Sequence, residues 1–189
     1  MGWFGWLFQQ PPAPWQWVGL IIGVLAFVGV IVSIPILFCG RPKLRIDFNT
    51  YDAQDGTCMI CEIWNEPITK GILAFLKVHR DQAQDVVAFY TVKEGGSGRV
   101  VFKTQHAAPI KTQAGVRAER VALPASFFPA NFLIALANKK DGQVILEDQK
   151  TKLEMGEYTV EIKVENEGKQ YIKTGILNIT DKYPFAYWN

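Results

Sequence analysis

Residues 153–164 read LEMGEYTVEIKV, and from Tyr158 the chain alternates strictly. Tyr158, Val160, Ile162 and Val164 share one side; Thr159, Glu161, Lys163 and Glu165 share the other. Successive side chains of a strand point to opposite faces, so this is a strand with one buried and one wetted face. Working outward, runs of β-formers recur at LRIDF (44–48), TCMICEIW (57–64), ILAFLKV (72–78), VVAFYTV (86–92), RVVFK (99–103), ERVAL (119–123), NFLIALA (131–137), QVILE (143–147), EYTVEIKVE (157–165) and YIKTGILNIT (171–180). Turn chemistry separates them at Asp55-Gly56, in the glycine-rich stretch 94–98, at Asp141-Gly142 and at Asn166-Glu167-Gly168. Residues 123–131, with two prolines and Phe127-Phe128, read as a loop or one helical turn. Short strands with no helix between them predict a sandwich or a barrel.

Leu153, Gly156 and Tyr158 ahead of the alternation resemble the tyrosine corner of immunoglobulin-like domains. There the Tyr hydroxyl bonds back to the chain at the start of the sixth strand. Antibody domains carry a Cys two residues after that Tyr, and here the position is Val160. The resemblance is therefore to the immunoglobulin-like superfamily as an architecture, over residues 43–180, and to no specific family. It implies a structural role for Tyr158 and transfers no binding residue.

The other decisive stretch is 17–38, WVGLIIGVLAFVGVIVSIPILF, in which Ser33 is the only polar residue and no residue is charged. As a helix it reaches about 33 Å, enough for a bilayer core of roughly 30 Å. A cleaved secretory signal would have a basic start and a shorter core, and no Lys or Arg precedes Arg41. Cys39 at the end of the run suggests a lipoprotein signal, but bulky Phe38 stands where such signals carry a small residue. A buried core helix would show a polar face, and this run has none. The flanks fit a transmembrane helix: Trp3, Trp6, Trp15 and Trp17 suit one interface, and Arg41, Lys43 and Arg45 follow at the other. Cations stay on the cytoplasmic side of a span, so the N-terminus is expected outside the cell and the bulk of the chain in the cytoplasm. Gly19, Gly23, Ala26 and Ser33 lie on one helical face, with Gly19 and Gly23 forming a GxxxG, the spacing that lets two helices approach closely.

Composition excludes more than it identifies. The chain carries 20 Lys+Arg and 18 Asp+Glu, a net charge of +2, which lacks the strong basic field of a nucleic-acid binder. Cys58 and Cys61 form a CxxC, but three positions apart in a strand they point to opposite faces and cannot share a metal or a disulfide without a bulge. His79 and His106 stand in separate segments, as surface residues. The glycine-rich 94–99 joins two strands and opens no helix, so it is a hairpin tip rather than a phosphate cradle. Asn178-Ile179-Thr180 matches a glycan acceptor, but in a strand on the cytoplasmic side it is expected to stay unmodified. No catalytic motif is present, and neither a cofactor nor a metal is expected.

The expected organisation is an aromatic interfacial segment (1–16), a transmembrane helix (17–38), a juxtamembrane linker (39–43), a β-sandwich (44–180) and an aromatic tail (181–189), KYPFAYWN from Lys182 on, expected to pack on its own domain. The fold class is mainly β, a single transmembrane α-helix followed by an immunoglobulin-like sandwich. The expected function is a non-catalytic interaction or scaffold module at the cell membrane. Its expected partners are the lipid bilayer, another protein and a second copy paired through the helix. The alternatives are an exported surface or periplasmic domain on an N-terminal anchor, and an enzyme or ligand-binding barrel with an unrecognised site.

Overall fold

The structure is a computed structural model that describes the backbone of residues 14–75 and 77–189, and the side chains of these except at 14, 16, 31, 32, 34–39 and 72. It falls into two compact units that divide between Arg41 and Pro42.

The first unit contains helix α1, Pro14–Cys39, of 26 residues. It begins on a proline, whose fixed φ and missing N–H suit the first turn. From Trp17 to Val30 every side chain is exposed. Among the described residues no helix is long and apolar enough to cross a membrane. The span expected over 17–38 includes side chains outside the described set, at 31, 32 and 34–38. Trp3 and Trp6 also lie outside it.

The second unit is two antiparallel sheets. One is built from β1 (Leu44–Asp52), β2 (Gly56–Asn65), β8 (Ala130–Asn138), β5 (Ile110–Lys111) and β6 (Arg117–Ala118), in that order, with β9 (Val144–Leu146) on β8 and β10 (Lys152–Leu153) on β9. The other runs β13 (Ala186–Trp188), β12 (Lys169–Ile179), β11 (Gly156–Asn166), β3 (Ala83–Glu94) and β4 (Val100–Lys103), with β7 (Val121–Leu123) also on β3. The alternation of β11 holds along its length: Tyr158, Val160, Ile162 and Val164 are buried and their neighbours are half-exposed. Their partners in the core are Met59, Cys61 and Ile63 of β2, Phe132 and Ile134 of β8, and Val86 to Val92 at alternate positions of β3. Tyr90 stacks between the sheets, 5.3 Å from Phe102 and 6.0 Å from Phe132 by ring centroids. One edge is closed by β1 against β12 and β13. Lys173 reaches Asp47 at 2.8 Å, Phe48 lies 4.4 Å from Trp188, and the Trp188 indole donates to Asn49 O at 3.0 Å.

Two segments differ from the sequence expectation. The described residues of the run 72–78 form no strand. The run overlaps α2, Gly71–Phe75, inside the connection from β2 to β3. Its Leu73, Ala74 and Phe75 are competent helix residues, and no neighbouring strand offers them a ladder. The aromatic tail is not an appendage either. β13 pairs Leu177 with Trp188 and Ile179 with Ala186, extending the second sheet past residue 180.

Candidate functional surface

Strand directions give the sandwich two ends. At the base lie the start of β1, the connection 66–82, the turn 112–116, the loop 124–129 and the β11–β12 hairpin. At the crown lie 53–55, 95–99, 139–143, 154–155 and 180–185, while the turn 147–151 between β9 and β10 lies at mid-height beside Ile134.

The base is organised by Asn65, which is 2% exposed. Its Nδ2 donates to Asp81 O at 2.7 Å and to Leu123 O at 3.1 Å, and its Oδ1 accepts from Lys43 N at 3.1 Å. Its carbonyl accepts from Ser126 N at 3.1 Å. One amide thus ties together the first residues of the domain, the 66–82 connection, β7 and the 124–129 loop. That loop is braced again by Gln113, whose Nε2 donates to Ser126 Oγ at 3.0 Å and to Phe128 O at 2.8 Å. Asn166 donates to Gln84 O and pins the hairpin to the start of β3. A cleft of about 310 Å³ opens here between Ile63, Leu123, Phe128 and Ala130. The Asn65 amide in its wall has both donors already engaged.

From this braced end three phenyl rings project. Phe75 is 84% exposed, Phe127 73% and Phe128 69%, and Val116 in the neighbouring turn is exposed as well. Among the described residues of the sandwich, every exposed Phe is at the base. The loops 112–116 and 124–129 hold no charged residue, and 66–82 holds Lys70, Lys77 and Arg80 against Glu66 and Asp81. Lys70 and Lys77 are exposed.

The residues expected at the membrane end have domain partners. Lys43 pairs with Glu66 at 2.8 Å, and Arg45 with Asp47 at 3.0 Å and Glu66 at 3.8 Å. The Lys43 hydrogen bond holds the Glu66 carboxyl below its ordinary pKa. Arg41, Trp15 and Trp17 are exposed. On α1, Gly19, Gly23 and Ala26 are exposed, and a Cβ at either glycine would meet nothing within 4 Å. Ser33 spends its hydroxyl on Val30 O at 3.2 Å.

At the crown, the Tyr158 hydroxyl donates to Glu154 O at 3.1 Å and accepts from Glu154 N at 3.2 Å. Cys58 and Cys61 face opposite sides of β2: Cys61 is buried in the core, where burial pushes its thiol well above the ordinary range, and Cys58 is half-buried on the other face. His79 and His106 are exposed. The most perturbed carboxyl is Glu147, half-buried after β9, whose pKa burial raises to about 7.

Sequence reasoning singled out Phe127-Phe128 as a loop but not as a surface. The signal was there, two adjacent phenylalanines between Pro124 and Pro129 in a segment without charge. For Asn65 there was none, since its three bonds span 16 to 58 residues. No family model matches this chain, and no curated protein matches it.

Proposed function

We propose that this chain is a single-pass membrane protein whose immunoglobulin-like sandwich acts as a non-catalytic interaction module on the cytoplasmic side. The observation that carries this reading is α1 with its uncharged run 17–38. Its described side chains from Trp17 to Val30 are exposed all round, an arrangement that water penalises and hydrocarbon favours. The absence of any cation before Arg41 supports the orientation. Strand order supports the immunoglobulin-like reading. β1, β2 and β8 stand where that fold has its first, second and fifth strands, and β3, β11 and β12 where it has its third, sixth and seventh. The Tyr158 bond to Glu154 supports it too. The described buried side chains are mostly Val, Ile, Leu, Ala and aromatic residues, with Thr57, Asn65 and Asn166, the filling of a packed sandwich.

The test is extraction and protection. The full chain should stay with membranes through alkaline carbonate, and protease added outside sealed cells should leave the domain intact. Release by carbonate overturns the anchor; digestion of the domain overturns the orientation. Pairing through the helix is read by dimer fraction in lipid, where Gly23→Ile should reduce association and Gly29→Ile should not. Equal association in both variants and wild type removes that partner.

A further inference from the structure

We propose that the base of the sandwich is itself a lipid-contact surface, with Phe75, Phe127 and Phe128 seated in the interface of an anionic bilayer. This rests on the membrane-anchored reading above and specifies which part of the domain meets the membrane. Three observations carry it. Whereas the exposed apolar side chains toward the crown are Tyr51, Val100, Met155 and Tyr183, every exposed Phe among the described residues of the sandwich lies at the base, two of them adjacent in sequence at 73% and 69% exposure. Such a cluster on a water-soluble surface marks a contact. The loop that bears them is held open from within. Ser126 Oγ accepts from Phe128 N at 3.1 Å, Gln113 grips the Phe128 carbonyl, and Asn65 accepts from Ser126 N. The rings are therefore presented in a fixed loop, and seating them costs little further chain ordering.

The third observation selects the occupant. The chain arrives at this same end, where the Lys43 amide donates to Asn65, and only residues 40–43 separate Cys39 of the apolar helix from Leu44 of β1. Around the phenyls the loops 112–116 and 124–129 are uncharged; the 66–82 connection exposes Lys70 and Lys77 with Asp81, and the β11–β12 hairpin exposes Glu167 beside Lys169, so exposed ammonium groups outnumber carboxylates there. Apolar rings with neighbouring lysines match an acyl boundary under a layer of anionic headgroups.

The experiment uses the full chain with Cys39→Ser, Cys58→Ser and Cys61→Ala, carrying one new cysteine at Phe127→Cys or, as the crown control, Met155→Cys. Each variant is labelled with the same environment-sensitive fluorophore and reconstituted into phosphatidylcholine–phosphatidylglycerol vesicles, with or without brominated acyl chains. A label at Phe75→Cys gives a second report from the base, and β-sheet circular dichroism verifies each fold. The label at 127 should lose most of its fluorescence to brominated lipid, whereas the label at 155 should keep its own and respond to aqueous iodide. Protein that floats with the vesicles but shows equal lipid quenching at 127 and 155 overturns this inference and leaves the anchor standing. A label at 127 shielded from both lipid and iodide overturns it in favour of a second copy covering the base. Failure to float overturns the anchor, and this inference with it.

Discussion

The two ends of the sandwich differ in what they display and in where their long ties converge. At the crown local turns are joined by long ties: Lys139 donates from Nζ to Ala53 O and from its amide to Asp55 O, and the Tyr183 hydroxyl donates to Asp52. Among the local ones, Asn138 accepts from Lys140 N, Asp141 accepts from Gln143 N, and Tyr158 bonds to Glu154. These Asx-type turns leave the crown without an exposed Phe. At the base the ties are long in sequence: Asn65 to Leu123 spans 58 residues and Asn166 to Gln84 spans 82. The base alone presents bare phenyl rings. Both ends thus combine local turns with ties across the chain; at the base the long ties converge on one buried residue, Asn65, at the end that exposes the phenyl rings.

The comparison breaks first at Asn65. Asn65→Ala removes partners from the Asp81 and Leu123 carbonyls and the Lys43 amide at once. Each unpaired buried backbone group costs about 1–3 kcal/mol, so the loss should be roughly 4 kcal/mol, softened where water enters the adjoining cleft. Chemical denaturation followed by the β-sheet circular dichroism signal measures it. A shift under about 1 kcal/mol would mean that the base is held by packing rather than by this amide.

At the crown the corresponding single residue is Tyr158, 7% exposed. Tyr158→Ala should cost on the order of 3 kcal/mol, as aromatic truncations in cores do. Tyr158→Phe removes only the hydroxyl bonds to Glu154 and should cost about 0.5–1.5 kcal/mol. Equal costs for the two variants would place the residue's value in the hydroxyl and remove the ring from the core.

The same contrast explains what was legible in the sequence. Alternation is a local signal, so β2, β3, β8, β11 and β12 could be read directly, and so could the Gly-containing turns at the crown. The Tyr158 hydroxyl bond to Glu154 is local too, spanning four residues. The run 72–78 misled because five apolar residues in succession carry no period. Whether they form a strand depends on a pairing partner elsewhere in the chain. β13 was read only as a tail that packs, since its strand character depends on the free edge of β12. The base could not be read as a unit. Its loops come from four separate parts of the chain, joined by Asn65, Gln113 and Asn166, and no local pattern marks those three residues.

A smaller effect comes from Glu147, which lies between the ends with its amide on Ile134 O. Two other carboxyls are depressed: Glu66 at the base by its hydrogen bond from Lys43, and Asp148 beside Glu147, despite opposing burial, by those from Thr151 and Lys150. Their stabilisation is present above the unfolded pKa and is lost as pH falls through the folded one. Glu147 behaves in the opposite sense. Burial raises it from 4.5 to about 7, so its contribution is intact below 4.5 and is lost as pH rises through 7. Unfolding free energy should therefore decline across that window in wild type and decline less in Glu147→Gln. Identical slopes would show that the carboxyl is solvated.

The smallest expected effect on stability is at the base rings themselves. Phe127 and Phe128 leave most of their surface in water, so replacing both with Ser removes little buried area. The Ser126, Gln113 and Asn65 bonds that shape the loop go to backbone groups or to Ser126, and all survive the change. Phe127→Ser/Phe128→Ser should therefore shift the unfolding free energy by no more than about 0.5 kcal/mol, the range of surface substitutions. Set beside the loss at Tyr158→Ala, that near-neutrality would separate aromatics that build the sandwich from aromatics that the sandwich displays. A loss of about 2 kcal/mol or more would place the rings against the domain, since burying one Phe contributes about 1.5–3 kcal/mol. The base would then resemble the crown, an end that closes the fold, and its phenyls would have no surface left to offer a bilayer.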